Sequence, residues 1–181
     1  MTQAITPVSI DHISPIPSDG ILPPSPRREA TPVGISQEGR FYLYGPTAAE
    51  PGPEIGALMG LITDVLVSSR GAEGSRYGTR DYLDVRIQAP DPAIQYLLAL
   101  PAHLSQWSYR TLLGALLMVD LSATALKLEP IRGREATFIQ VSLDPHGHQR
   151  VTAEAIGPER ADLEIAVNAC RRLLNLEPQF L

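Results

Sequence analysis

Gly60-Leu-Ile-Thr-Asp-Val-Leu-Val-Ser-Ser-Arg70 and Arg80-Asp-Tyr-Leu-Asp-Val-Arg-Ile-Gln88, separated by Gly71-Ala-Glu-Gly-Ser-Arg-Tyr-Gly-Thr79, decide how this chain folds. In the second stretch Leu83, Val85 and Ile87 alternate with Tyr82, Asp84, Arg86 and Gln88. That is the period-two pattern of a strand with one face on a core. The first stretch, counted from Met59 to Ser69, is fairly apolar on both sides. Leu61, Thr63, Val65 and Val67 share one face, and Ile62, Asp64, Leu66 and Ser68 the other. This suits a long, curved strand covered at one end, with Gly56 and Gly60 fitting a bend or bulge near its start. The glycines between the two stretches make a loop, so the pair forms a hairpin with a long tip.

Working outward, Pro90-Asp91-Pro92 turns the chain into a third strand with Ile94, Tyr96, Leu98 and Leu100 on one face, ended by Pro101. A helix follows, with Ser105 (or Ser108) as N-cap and Tyr109, Leu112, Leu113, Leu116 and Leu117 as its apolar stripe. Strand four is expected over Ala125 to Glu129 and strand five over Ala136 to Leu143, with Thr137, Ile139, Val141 and Leu143 facing one way and Phe138, Gln140 and Ser142 the other. Strand, loop, strand, strand, helix, strand, turn, strand is the element order of the OB-fold, a five-stranded Greek-key barrel. Asp144-Pro145-His146-Gly147 then turns into an expected sixth strand, Gln149 to Ala155. Gly157-Pro158 opens a terminal helix with Leu163, Ala166, Val167, Cys170 and Leu174 on its apolar side. The expected class is therefore mainly β with helices: an OB-like barrel with a helix between strands three and four, plus an extra strand and a C-terminal helix.

Proline sets the domain boundaries. Ten of the 17 prolines precede Gly56, and such a backbone offers little regular hydrogen bonding. Residues 1–37 read as an extended arm dispensable for folding, 38–157 as the barrel, and 158–181 as a helix that docks on the barrel or on a partner. Val8, Ile10, Ile13, Ile16, Ile21 and Leu22 would let the arm lie on a protein partner. Phe41 to Tyr44 is a short aromatic strand.

A net charge of -5 argues against a generic basic coat for nucleic acid, although not against a local patch. The lone Cys170 cannot form an internal disulfide, and no apolar stretch approaches the ~18 residues that span a membrane. With no signal-peptide pattern at the start, the cytoplasm is the expected location and no membrane partner is expected.

Function is sought in the loops. Arg70, Arg76 and Arg80 border the first loop, and Arg132 and Arg134 flank Gly133 between strands four and five. Those are the two loops that an OB barrel uses for oligonucleotides or oligosaccharides. Tyr82 and Phe138 point to the polar faces of their strands, beside Arg86, and Tyr77 sits within the first loop. Rings so placed can stack on bases, and guanidinium can both fork to phosphate and stack. Trp107, off its helix's main stripe, is expected to plug the barrel's end. Catalytic patterns are poor. Asp64, Asp81 and Asp84 could hold a divalent cation only if the strand were irregular. His146 and His148 lack zinc-site partners. Cys170 falls on an apolar stripe, and no phosphate-cradling glycine motif occurs. No enzymatic role and no cofactor are expected.

Gly60 through Leu143, by this order and by Gly-Leu-Ile-Thr-Asp-Val followed by Arg-Asp-Tyr-Leu-Asp-Val, resembles OB-fold single-stranded DNA-binding proteins. The resemblance implies an aromatic barrel face, basic hairpin loops, single-stranded DNA or RNA as partner, and oligomer formation. It covers less than half the chain, and the terminal helix with Leu176-Glu177-Pro178-Gln179-Phe180-Leu181 departs from the flexible acidic tail common in such families. The rival expectation is a protein-interaction or assembly subunit that uses the arm and the terminal helix.

Overall fold

The computed structural model describes residues 30–36, 38–44, 51–71, 79–102 and 106–180. In chain order the elements are β1 (Thr31–Ile35), β2 (Phe41–Tyr44), β3 (Pro51–Ile55), β4 (Leu58–Arg70), β5 (Arg80–Gln88), β6 (Gln95–Pro101), α1 (Trp107–Leu116), β7 (Ala125–Arg132), β8 (Thr137–Ser142) and α2 (Arg160–Leu173). All eight strands form one sheet, ordered β3-β2-β1-β6-β5-β4-β7-β8 and curled into a half-barrel.

The hairpin expected from the sequence is its centre. Val65 faces Val85 and Val67 faces Leu83 across β4 and β5, and all four are buried. β4 serves two neighbours in succession. Leu58–Leu61 pair with β7, and the strand pairs with β5 from Leu61 to Arg70, with a register shift between Ile62 and Asp64. At the handover Gly60 lets the Gln88 carbonyl come so close that a Cβ would stand 2.0 Å from its oxygen. This is where the sheet bends.

The five-stranded barrel is not what forms. β8 does not return to β6. The far edge of β6 is instead taken by β1, running parallel to it with Val33 opposite Leu98, and β2 and β3 extend the sheet beyond. Pro32 stands opposite Leu97 of β6, one residue before the β2 pairing begins at Val33, and the prolines of β3 are tolerated because that strand is an edge. The boundary of the arm therefore moves. Thr31–Ile35 lies within the stretch read as dispensable, yet Val33 is fully buried in the core. Residues 1–29 lie outside the described residues.

Curling brings the β1–β2 turn against the β7–β8 turn. A Cβ on Gly39 (φ +75°) would lie 3.1 Å from the Thr137 hydroxyl and 3.2 Å from the Arg132 Cβ. α1 lies along β8, where the Thr111 hydroxyl accepts the Ile139 amide at 3.2 Å. Its N-cap is Gln106, without a side-chain bond, and Ser105 lies outside the described residues; Ser108 falls inside the helix. The expected sixth strand shrinks to a bridge between Ser142 and Arg150, after which the chain crosses α1. There Ile156 donates to the Arg110 carbonyl at 3.2 Å, and Gly114 admits the Glu154 backbone. Ser142, expected to face outward, is buried beneath that bridge.

α2 starts at Arg160 through a reciprocal cap between Glu159 and Asp162. It docks on this chain's own sheet. Leu163, Ala166, Val167 and Cys170 join the common core, and Arg171 reaches Asp64 at 2.6 Å and the Val65 carbonyl at 3.2 Å. The segment beyond it finishes the β4 edge that β7 leaves bare. The Gln179 side chain accepts the Val67 amide at 2.8 Å and donates to the Val67 carbonyl at 2.6 Å, as a residue of a neighbouring strand would. Asn168 holds the Gln179 backbone from behind at 2.7 and 2.9 Å. No helix among the described residues is long and apolar enough to cross a membrane.

Candidate functional site

Two groups of polar and aromatic side chains gather outside the core. The first lies on the face of the hairpin opposite to that of Val65, Val67, Leu83 and Val85. Alternation in β4 and β5 turns Ser68, Arg70, Tyr82 and Asp84 to the same side. Asp84 is only 4% exposed, yet it is no bare charge: the Ser68 hydroxyl donates to it at 2.7 Å, and Arg70 donates to its other oxygen. Arg70 also donates from Nε to the Ser68 oxygen at 3.2 Å, and its guanidinium lies 4.9 Å from the Tyr82 ring centroid. Asp84 and Ser68 thus hold an arginine over a tyrosine at the root of the first loop.

The sequence reading passed over two other tyrosines. In Phe41-Tyr42-Leu43-Tyr44 the alternation buries Phe41 and sends both tyrosines outward, with ring centroids 5.2 Å apart. Tyr42 covers Gly34, where a Cβ would meet the ring at 2.5 Å. Burial, and then the Tyr42 hydroxyl beside it, push the Tyr44 phenol up to about 12; the charges of Arg70 and Asp84 act on it as well. β2 and β4 are far apart in the sheet order, yet the charges of Arg70 and Asp84 reach the Tyr44 phenol. The signal was in the sequence, since two tyrosines two residues apart must share a face.

The second group lies where β1, β6, α1 and the β7–β8 turn converge around a cleft of about 300 Å³. Trp107, expected as a plug, is instead 42% exposed on its rim. The Arg110 guanidinium covers one face of the indole at 4.6 Å and is itself fixed by a 2.7 Å bond from Nε to the Ile156 carbonyl. Phe138 stands 6.1 Å from Trp107 and lies over Gly133, so it is half-buried rather than free on its face. Arg132 and Glu135 line the same cleft. Pro101 joins the two groups: it faces Tyr82 across β5 and β6, and it also lines the cleft.

Of the other expected residues, Arg134 is exposed in the β7–β8 turn, Arg80 opens β5 opposite Arg70, and half-buried Arg86 lies opposite Asp64. Arg76 and Tyr77 lie outside the described residues. The three hairpin carboxylates do not converge. Asp64 meets Arg171, Asp81 accepts the Ser69 hydroxyl at 2.5 Å with Arg160 3.8 Å away, and Asp84 holds Arg70. His146 and His148 stack on each other in an exposed turn.

No protein-family model, curated protein or solved structure matches this chain.

Cys170 is fully buried, and burial pushes its thiol up to about 12 from an ordinary 9.0. A thiol reagent at neutral pH should therefore label it only as the chain opens. The unfolded thiol ionises first as pH rises, so this contribution to stability is complete below pH 9 and is lost between 9 and 12. Labelling at the same rate in native and urea-unfolded protein would contradict the buried placement.

Proposed function

We propose that the chain is a non-enzymatic module that binds single-stranded DNA or RNA, working in the cytoplasm on a body derived from the OB barrel. The order β6-β5-β4-β7-β8, with α1 between β6 and β7, supports that body. The observation that carries the function is the strip from the Arg70–Tyr82 stack, past Pro101, to the exposed Trp107 and the arginine-bearing turn. Bases stack on rings and guanidinium planes without needing a particular sequence, and the strip supplies both.

The charge pattern sets the expected strength. Arg70, Arg160 and Arg171 are each engaged by a carboxylate of this chain, so phosphate has to compete for them. Binding should lean on stacking, with a shallow salt dependence: roughly two phosphates neutralised would give a slope near −1.4. Fluorescence anisotropy with labelled single-stranded DNA, duplex DNA and RNA tests this. Single strands should bind best, and Tyr82→Ala should cost roughly 1–3 kcal/mol. No anisotropy change with any single strand at low salt would sink the proposal.

Ile165, Leu173 and Phe180, exposed on and just beyond α2, favour a second reading as an assembly subunit. Association that resists salt and ignores nucleic acid would favour it.

A further inference from the structure

We propose that the cleft beside Trp107 is a pocket for one base of the bound strand, and that it prefers guanine. This rests on the single-strand reading and adds to it a place and a base. At about 300 Å³ the cleft sits at the small end of ligand sites. Trp107 makes one wall, and Ile35 and Pro101 supply apolar surface elsewhere in the lining. The indole is positioned before any ligand arrives, since Arg110 covers one face and is tied to the Ile156 carbonyl while Phe138 packs nearby. A ring already fixed loses little rotamer freedom on binding. The wall fits a flat, polarisable group.

The rest of the lining selects which flat group. Glu135 and Gln106 are among the residues that line the cleft, and Arg132, which bears a guanidinium, is in the same lining. An ionised carboxylate only accepts hydrogen bonds and repels phosphate, so the part of a strand that suits it is an uncharged edge rich in N–H. Guanine presents two adjacent donors, its ring N1–H and its exocyclic amino group, which match the two oxygens of one carboxylate. Adenine and cytosine offer one amino group there, and uracil one ring N–H. The carboxylate that weakens the case for a general polyanion groove thus becomes the reader of a base.

Trp107 is the only tryptophan in the chain, so its emission reports this cleft alone. Full-length protein is titrated at low salt with GMP, AMP, CMP and UMP, and in parallel with a labelled single strand followed by anisotropy. GMP should quench Trp107 saturably with a Kd about tenfold below the others, the worth of one good bidentate pair. Glu135→Gln, which keeps shape but replaces one acceptor with a donor, should erase that preference while the labelled strand still binds. Four equal nucleotide affinities, a strand that binds without altering Trp107 emission, or a guanine preference that survives Glu135→Gln would each overturn the pocket and leave the single-strand reading standing. If no strand binds at all, that reading fails and the pocket with it.

Discussion

Removing residues 1–37 is expected to lower the melting temperature by roughly 8–16 °C, whereas a chain beginning at Ala30 keeps every described pairing and serves as the control. The cut takes away β1, and with it the fully buried Val33 and the strand that, among the described residues, joins β2 and β3 to the rest of the sheet. Burying one valine is worth about 1.5–3 kcal/mol. The loss of partners for β6 and β2 adds to that, so about 4 kcal/mol overall is a modest expectation. For a chain of this size each kcal/mol moves the midpoint by about 2–4 °C. A thermal melt followed by circular dichroism decides it. A shortened chain that melts within about 2 °C of the parent would mean that β1 adds nothing to the core.

Gly60→Ala should be among the most damaging single-methyl additions in the molecule, at about 3 kcal/mol or more. The new Cβ would stand 2.0 Å from the Gln88 carbonyl oxygen and 2.7 Å from its carbon. Overpacking in a core usually costs about 1–3 kcal/mol because side chains can yield. Here the obstacle is the backbone of β5 at the point where β4 changes partners, so relief requires parting the two central strands. Gly56→Ala is the matched control: nothing lies within 4 Å of its Cβ position, and a change below about 0.5 kcal/mol is expected. Urea melts of the two variants should differ accordingly. Equal midpoints would show that the sheet does not bend at Gly60.

The elements most legible in the sequence were those whose burial repeats locally. Leu83, Val85 and Ile87 marked β5, Leu126 and Leu128 marked β7, and Leu163, Ala166, Val167 and Cys170 gave the inner side of α2; all are buried. What escaped was the partnership between distant segments. β1 is five residues containing a proline, and what makes it a strand is the edge of β6, more than sixty residues further along. With β1 unseen, the five strands expected between Met59 and Leu143 appeared to close on themselves. The candidate site divided in the same way. Tyr82 and Arg70 followed from alternation along one hairpin. The reach of the Arg70 charge to Tyr44, and the convergence of Trp107 on the β7–β8 turn, depend on how far the sheet curls, which no local pattern encodes.

Gln179 carries a consequence for the order of events during synthesis. Its amide completes the edge of β4 at Val67, 112 positions earlier in the chain. When β4 and β5 have left the ribosome and paired, the far edge at Val65 and Val67 still has hydrogen-bonding groups that point at nothing. They stay so for the time taken to make the intervening residues, several seconds to about twenty at ordinary translation rates. During that interval a nascent chain offers its central strand to any other strand nearby. Contacts this distant are also the slowest to form. The central hairpin is therefore left without its last neighbour until Gln179 has been made, and crowding among nascent chains is a condition to which this protein should be sensitive.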